Sequence, residues 1–246
     1  MRVGFDEVGR GALAGPVVVS LVATPDNWPL NICAKSDPED QLFYGDLDAG
    51  FSKAHDSKKL TATLRQIVST SVTNSKLPKI ILGGSNTAID TYGIGKVLTH
   101  LLAIGLELIS AQISQQKPLK VYIDGRIKLI KLDSDLIALL LKENELNATI
   151  DSDILIQQMQ TDLLSGTNKF ILIREDKADA QYLVVALASN VAKVYRDTLM
   201  QKIHLQYPDF GWHQNVGYGT KSHREAIIRN PTNELLRHTW LKKILS

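Results

Sequence analysis

Asp6 and Glu7 stand side by side at the end of a short apolar run, Arg2-Val3-Gly4-Phe5, and lead directly into Gly9-Arg10-Gly11. Carboxylate oxygens suit hard divalent cations such as Mg²⁺ or Mn²⁺. A Gly-Arg-Gly turn lets main chain approach a polyanion that the arginine can also bind. The combination points to divalent-metal chemistry on a phosphate backbone. Two more acids occupy comparable places: Asp124 closes the apolar run Val121-Tyr122-Ile123, and Asp179 opens a long apolar stretch. Each has a plainer reading. Neighbours on a strand point to opposite faces, so Asp6 and Glu7 serve one site only if the strand ends or bulges there. Asp124-Gly125 is a common turn dipeptide, and Asp179 would serve as a helix N-cap. Taken together, each acid terminates a different core element, where a rigid scaffold presents its ligands. Four converging carboxylates would also repel one another unless cations neutralised them.

Other constellations carry less. Asp133-Ser134-Asp135 returns as Asp151-Ser152-Asp153, each before a helix-period apolar run. Neither copy has the glycine and later glutamate of a calcium loop, so both read as helix caps. His204, His213, His223 and His238 lack zinc-like pairing, and the single cysteine, Cys33, cannot build a thiolate site or an internal disulfide. No Gly-x-Ser-x-Gly turn presents a serine nucleophile.

The elements that must position the acids follow from periodicity and punctuation. Residues 2–8 and 16–23 read as a hairpin across the glycine-rich turn, and 25–55 as a long loop. A helix capped at Thr61 runs towards Asn74, Lys79 to Gly84 is a strand, and a long helix spans about Thr87 to Gln115. Lys120 to Asp124 and Phe170 to Ile173 are buried strands, and a buried helix runs from about Asp179 to Gln206. Short helices around Gly-, Pro- and His-containing turns complete the chain. The 246 residues and 44% hydrophobic content describe a globular fold with one sizeable core. No uninterrupted apolar run of membrane-spanning length and no signal-peptide pattern occur, so the expectation is a cytoplasmic protein without a membrane role. Residues 177–246 hold ten Lys/Arg against five Asp/Glu, whereas residues 128–176 hold five against nine. The basic end could face nucleic acid and the acidic stretch should face away from it.

These residues resemble a known family, prokaryotic ribonuclease HII, the type 2 ribonuclease H. Asp6-Glu7-Val8-Gly9-Arg10-Gly11-Ala12-Leu13-Ala14-Gly15-Pro16 resembles the family's opening motif and Asp56-Ser57-Lys58-Lys59-Leu60 its second. Ile123-Asp124-Gly125 resembles the third, and Lys177-Ala178-Asp179-Ala180 through Ala192-Lys193-Val194-Tyr195-Arg196-Asp197 the fourth. Gly217-Tyr218-Gly219-Thr220-Lys221-Ser222-His223 resembles the fifth. The matches keep family order and leave out only residues 25–55 and 128–170.

The resemblance implies an α/β fold: a ribonuclease H-like mixed sheet flanked by helices, with a catalytic domain over 1–205. The resemblance also implies a helical extension over 206–246 that completes the substrate groove; over about 128–170 it gives no guidance, and there the repeated caps, apolar stripes and acidic surplus read as a two-helix insertion packed outside the core, away from the nucleic acid. By resemblance, Asp6, Glu7, Asp124 and Asp179 bind metal. Gly9, Arg10 and Gly11 contact the ribose 2′-hydroxyl, Tyr218 packs on the following deoxyribose, and Lys58 and Lys59 contact backbone phosphate. Two Mg²⁺ or Mn²⁺ ions are expected with substrate bound, on RNA/DNA hybrids and on duplex DNA carrying a ribonucleotide, with 3′-hydroxyl and 5′-phosphate products. A monomer without an obligate protein partner is expected. Departures from the family pattern are the long Asp124–Asp179 spacing, Ala186-Leu187-Ala188-Ser189-Asn190 in place of a small-residue run, and Leu236 before Arg237 where a histidine is typical. Ribonuclease HIII, which places a binding domain before its first acid, a recombination nuclease of the same superfold and a non-catalytic nucleic-acid-binding module are the alternatives.

Overall fold

The computed structural model describes residues 1–32, 50–54, 57–113, 118–125, 127–146, 156–157, 161–162 and 169–245. Asp56 of the second motif and the second Asp-Ser-Asp copy lie outside them. Five strands form one mixed sheet: β1 (Arg2–Val8), β2 (Val17–Thr24), β3 (Lys79–Gly84), β4 (Leu119–Asp124) and β5 (Phe170–Glu175), in the order β3-β2-β1-β4-β5. β1, β2 and β3 pair antiparallel, and β4 and β5 run parallel to β1. All eight residues of β2 are buried, as continuous Val/Leu content in a central strand requires.

Helices cover both faces. On one lie α1 (Ala62–Asn74) and, further along the chain, the 22-residue helix Leu183–His204. On the other lie α2 (Asn86–Tyr92), α3 (Ile94–Ala111) and α4 (Ser134–Glu143). The short α5 (Ala178–Gln181) precedes the long helix, which is therefore α6. Gly4 lets α6 cross β1 at close range, since a Cβ there would collide with the Val184 main chain. Beyond α6 come α7 (Trp212–Asn215), α8 (Lys221–Arg229) and α9 (Lys242–Leu245) around their own buried cluster of Phe210, Trp212, Ile227, Leu236 and Leu241.

Two helices expected to be continuous are broken. The long helix after β3 divides at Gly93, whose φ of 85° only glycine adopts without strain. The helix from Asp179 divides at Tyr182, which is extended (φ −106°, ψ 123°). There the chain pairs with an upstream segment, Ile32 N–H donating to Gln181 O and Leu183 N–H to Leu30 O, and Tyr182 packs on Tyr122 with ring centroids 4.8 Å apart. Periodicity cannot register a break imposed by a distant strand of main chain.

By length and composition α3 could cross a membrane, with a mean hydropathy of 1.5 over its 18 residues. Instead Val97, Leu98, Leu101, Leu102 and Ile104 pack against the sheet. The first Asp-Ser-Asp element behaves as expected: Asp133 caps α4, its carboxylate accepting from Leu136 N–H. The apolar stripe of α4, however, is no outer appendage. Leu136, Ile137, Leu140 and Leu141 belong to the main core. Asn144 clasps Gly83 of β3 through both its side-chain donor and acceptor, and buried His100 accepts from Asp133 N–H. Residues 156, 157, 161 and 162 are helical, and the rest of the expected second helix lies outside the described residues. Leu140→Ala is accordingly expected to cost about 2–5 kcal/mol by chemical denaturation.

Candidate active site

The carboxyl ends of β1 and β4 open into a cleft of about 470 Å³. β1 keeps its register with β2 through Val8↔Val18, but its pairing with β4 stops at Phe5↔Ile123. So the strand neither ends nor bulges at the acids on its β2 side; it parts from β4 there. Asp6 rises on the α6 face and Glu7 on the opposite one, and the open edge between β1 and β4 lets both line the cleft with Asp124. Asp124 ends β4 just before the Asp-Gly turn, where Gly125 has a φ of 70°, and its Oδ1 accepts from Ala178 N–H at 2.8 Å. The turn reading and the site reading of this residue therefore both hold.

Asp179 is not a helix cap. Lys177, at φ 63°, occupies that position, and Asp179 lies buried in the first turn of α5. It stands behind the cleft rather than among its lining residues, and Lys58, which does line the cleft, reaches it at 4.0 Å. Lys59 is exposed and does not line the cleft.

Each carboxylate is held by its own donor. Asp6 accepts from Glu7 N–H at 2.8 Å and from the Ser189 hydroxyl, and Glu7 Oε1 accepts from Arg10 at 3.1 Å. Among the described residues no three His, Cys, Asp or Glu side chains are gathered closely enough to hold an ion as they stand. The electrostatics nonetheless fit a hard cation. Burial, and then the adjacent Glu7 charge, push the Asp6 carboxyl well above its usual range. Burial raises Glu7 to about 7, against the pull of Arg10. Glu7 Oε2 is buried without a hydrogen bond, and such an atom is satisfied by a cation or a proton. An all-oxygen donor set suits Mg²⁺ or Mn²⁺.

The rim of the cleft is the Gly9–Gly11 turn on one side and Tyr218 on the other, and the two touch. Gly9 N–H donates to Tyr218 Oη at 3.2 Å. Gly9 O accepts from Ala12 and Arg10 O from Arg237. Among the described residues, the N–H groups of Arg10 and Gly11 make no hydrogen bond. Gly11 has open space where a Cβ would stand, so the protein itself leaves room against this turn.

Several residues of the site were not singled out from sequence. Ser57 and Ser189 line the cleft and are hydrogen-bonded at 2.8 Å, and Lys193 lines it while paired with Asp197. Ser20, directly across from Asp6 on β2, is buried with its hydroxyl unpaired. Its signal was a lone polar residue in an apolar strand. Arg196 and Arg237 are fully buried behind the rim, gripping main-chain carbonyls of the β1–β2 turn. Leu236, where a histidine is typical of the family, is fully buried in the C-terminal cluster.

Comparison with known proteins shows the family to which the chain belongs. The family model described as ribonuclease HII matches residues 49–243. That span begins after β2, so Asp6 and Glu7 lie before it. Similarity to individual relatives covers nearly the whole chain. The ribonuclease HII of Clostridium perfringens (strain ATCC 13124) is 31% identical over 242 residues, 98% of this chain and 67% of that protein. The ribonuclease HII of Synechococcus sp. (strain JA-3-3Ab) is 34% identical over 226 residues, 92% of this chain and 75% of that one. Among solved structures, the ribonuclease HII complexed with PCNA from Archaeoglobus fulgidus superposes with a TM-score of 0.62 at 22% identity. It covers all of this chain and 97% of its own. Ribonuclease H2 of Pyrococcus horikoshii gives 0.59 at 23% identity over 99% and 96%. The structures share the fold and the curated relatives share the sequence over nearly its full length; the chain belongs to the ribonuclease HII family.

Proposed function

We propose that this chain is a divalent-metal-dependent endoribonuclease. It hydrolyses the RNA strand of RNA/DNA hybrids and cuts duplex DNA at a single embedded ribonucleotide, leaving 3′-hydroxyl and 5′-phosphate ends. The observation that carries this reading is one cleft in which the carboxylates of Asp6, Glu7 and Asp124 lie beside a Gly-Arg-Gly turn hydrogen-bonded to Tyr218. Asp6, Glu7, Asp124 and Asp179 would hold Mg²⁺ or Mn²⁺, which when bound makes hydroxide available at neutral pH and stabilises the departing 3′-oxygen.

The remaining work falls to the chain's own groups. Lys58 and Arg10, both exposed at the cleft, attract the phosphates. The uncommitted N–H groups of Arg10 and Gly11 meet the 2′-hydroxyl, the atom that separates RNA from DNA. The Tyr218 ring, whose hydroxyl accepts from Gly9 N–H, offers a flat apolar face to the deoxyribose that follows. Tyr218→Ala is therefore expected to reduce kcat/KM on a single-ribonucleotide duplex at least tenfold while leaving DNA affinity and folding near those of the parent. Steady-state cleavage of that duplex beside a filter-binding assay checks this. Equal kinetics for variant and parent would remove Tyr218 from the site.

A further inference from the structure

Arg196 is an unusual residue for a nuclease interior. It lies on α6, is fully buried, and all its hydrogen bonds go to main-chain carbonyls. Nε donates to Pro16 O at 2.9 Å, Nη2 to Ala14 O at 3.2 Å and Nη1 to Val216 O at 2.8 Å. Two of these carbonyls follow the Gly9–Gly11 turn and the third precedes Tyr218 by two residues. The guanidinium also lies over the Tyr218 ring, 5.6 Å from its centroid, within the range of a cation–π contact. Gly9 completes the arrangement: a Cβ there would collide with Arg196 Nε, so the turn is seated directly on the guanidinium. A buried cation without a carboxylate bonded to it is costly, and an apolar side chain of similar volume would normally pack better. Its planar fork, with donors in fixed directions, joins two segments about two hundred residues apart in the chain.

We propose that Arg196 is the positioning residue that holds the Gly9–Gly11 main chain and the Tyr218 ring at one fixed separation, and thereby sets selectivity for an RNA–DNA junction. The inference rests on the reading of those two elements given above. A single ribonucleotide in DNA must satisfy both at once, the turn with its 2′-hydroxyl and the ring with the next deoxyribose. In a continuous RNA strand the next sugar carries a hydroxyl and the ring's contact is not matched, so the separation matters less. The direct hydrogen bond from Gly9 N–H to Tyr218 Oη is the rival link, and the two can be told apart.

The test measures kcat/KM on a single-ribonucleotide duplex and on a uniform RNA/DNA hybrid, and takes their ratio as the junction preference. Arg196→Lys keeps the charge and loses the fork. It is expected to lower the preference at least tenfold, and the double variant with Tyr218→Ala should show no lower preference than Tyr218→Ala alone. Tyr218→Phe keeps the ring over the guanidinium, loses only the hydroxyl and leaves the core untouched, so it is informative even if Arg196→Lys fails to fold. It is expected to hold the parent preference within about twofold. Equal losses on both substrates in Arg196→Lys, multiplying effects in the double variant, or a Tyr218→Phe as unselective as Tyr218→Ala would each overturn the proposal. If Tyr218→Ala lowers the preference and Arg196→Lys does not, the proposal alone fails. If neither does, the reading of Tyr218 fails with it.

Discussion

Asp6→Asn, Asp124→Asn and Asp179→Asn are each expected to lower the cleavage rate by about a thousandfold or more at saturating Mg²⁺, the effect of losing roughly 4 kcal/mol of charge stabilisation in the transition state. The fold should survive each change. Asp6 lies where β1 parts from β4 and Asp124 closes β4, and amide oxygens preserve the hydrogen bonds from Glu7 and Ala178 N–H. Single-turnover assays across a range of Mg²⁺ concentrations, beside circular dichroism, separate lost chemistry from lost structure. An Asp6 or Asp124 variant that cuts at the parent rate at every concentration would rule out the metal-ligand assignment.

The same acids make the metal-free protein sensitive to pH in a direction that can be fixed in advance. Glu7 is raised to about 7 in the fold from an ordinary 4.5, chiefly by burial. Below about 4.5 the group is protonated in both states and contributes nothing to the difference between them. Between 4.5 and 7 the unfolded chain has released the proton and the folded chain retains it, so stability falls as pH rises. Above 7 the loss is complete, on the order of 3 kcal/mol for a shift of this size. Asp6, raised in the same sense by burial and by Glu7, adds to it. Glu7→Gln is therefore expected to stabilise the metal-free protein at pH 8 and to flatten its profile between pH 5 and 8. Mn²⁺ should raise the melting temperature of the parent far more than that of the variant. Thermal melts in EDTA and in Mn²⁺ across this range read both effects. A parent that gains stability from pH 5 to 8 in EDTA, or a variant that gains as much from Mn²⁺ as the parent, would contradict the account.

Local chemistry decided which parts of the molecule were legible in its sequence. The hairpin over β1 and β2, the Thr61 cap and the strand ending on Asp124 carry short-range signals: alternating or continuous β-branched residues, a capping hydroxyl, an Asp-Gly turn. The acids could be placed at the ends of core elements for the same reason. How Asp6 and Glu7 reach one cleft from opposite faces was not legible, because the answer lies in where β1 stops pairing with β4. The breaks at Gly93 and Tyr182 depend respectively on one dihedral angle and on pairing with residues 30–32. Arg196 and Arg237 were illegible for another reason. A charged residue reads as surface by default, and their burial follows from carbonyls that converge on them only once the β1–β2 turn and the C-terminal segment are assembled. The acidic surplus before β5 suggests an outer addition, but charge count says nothing about the side on which Leu136 and Leu140 lie, and they lie in the core.

The most direct test of the central claim uses a DNA duplex bearing one ribonucleotide, incubated with the parent protein and with Asp6→Asn, in EDTA and in Mn²⁺, with the product ends mapped. The account predicts one cut at the ribonucleotide by the parent in Mn²⁺ only, with 3′-hydroxyl and 5′-phosphate ends and no cut by the variant. Cleavage in EDTA, cleavage by Asp6→Asn at the parent rate, or an intact duplex after prolonged incubation with parent and Mn²⁺ would contradict it.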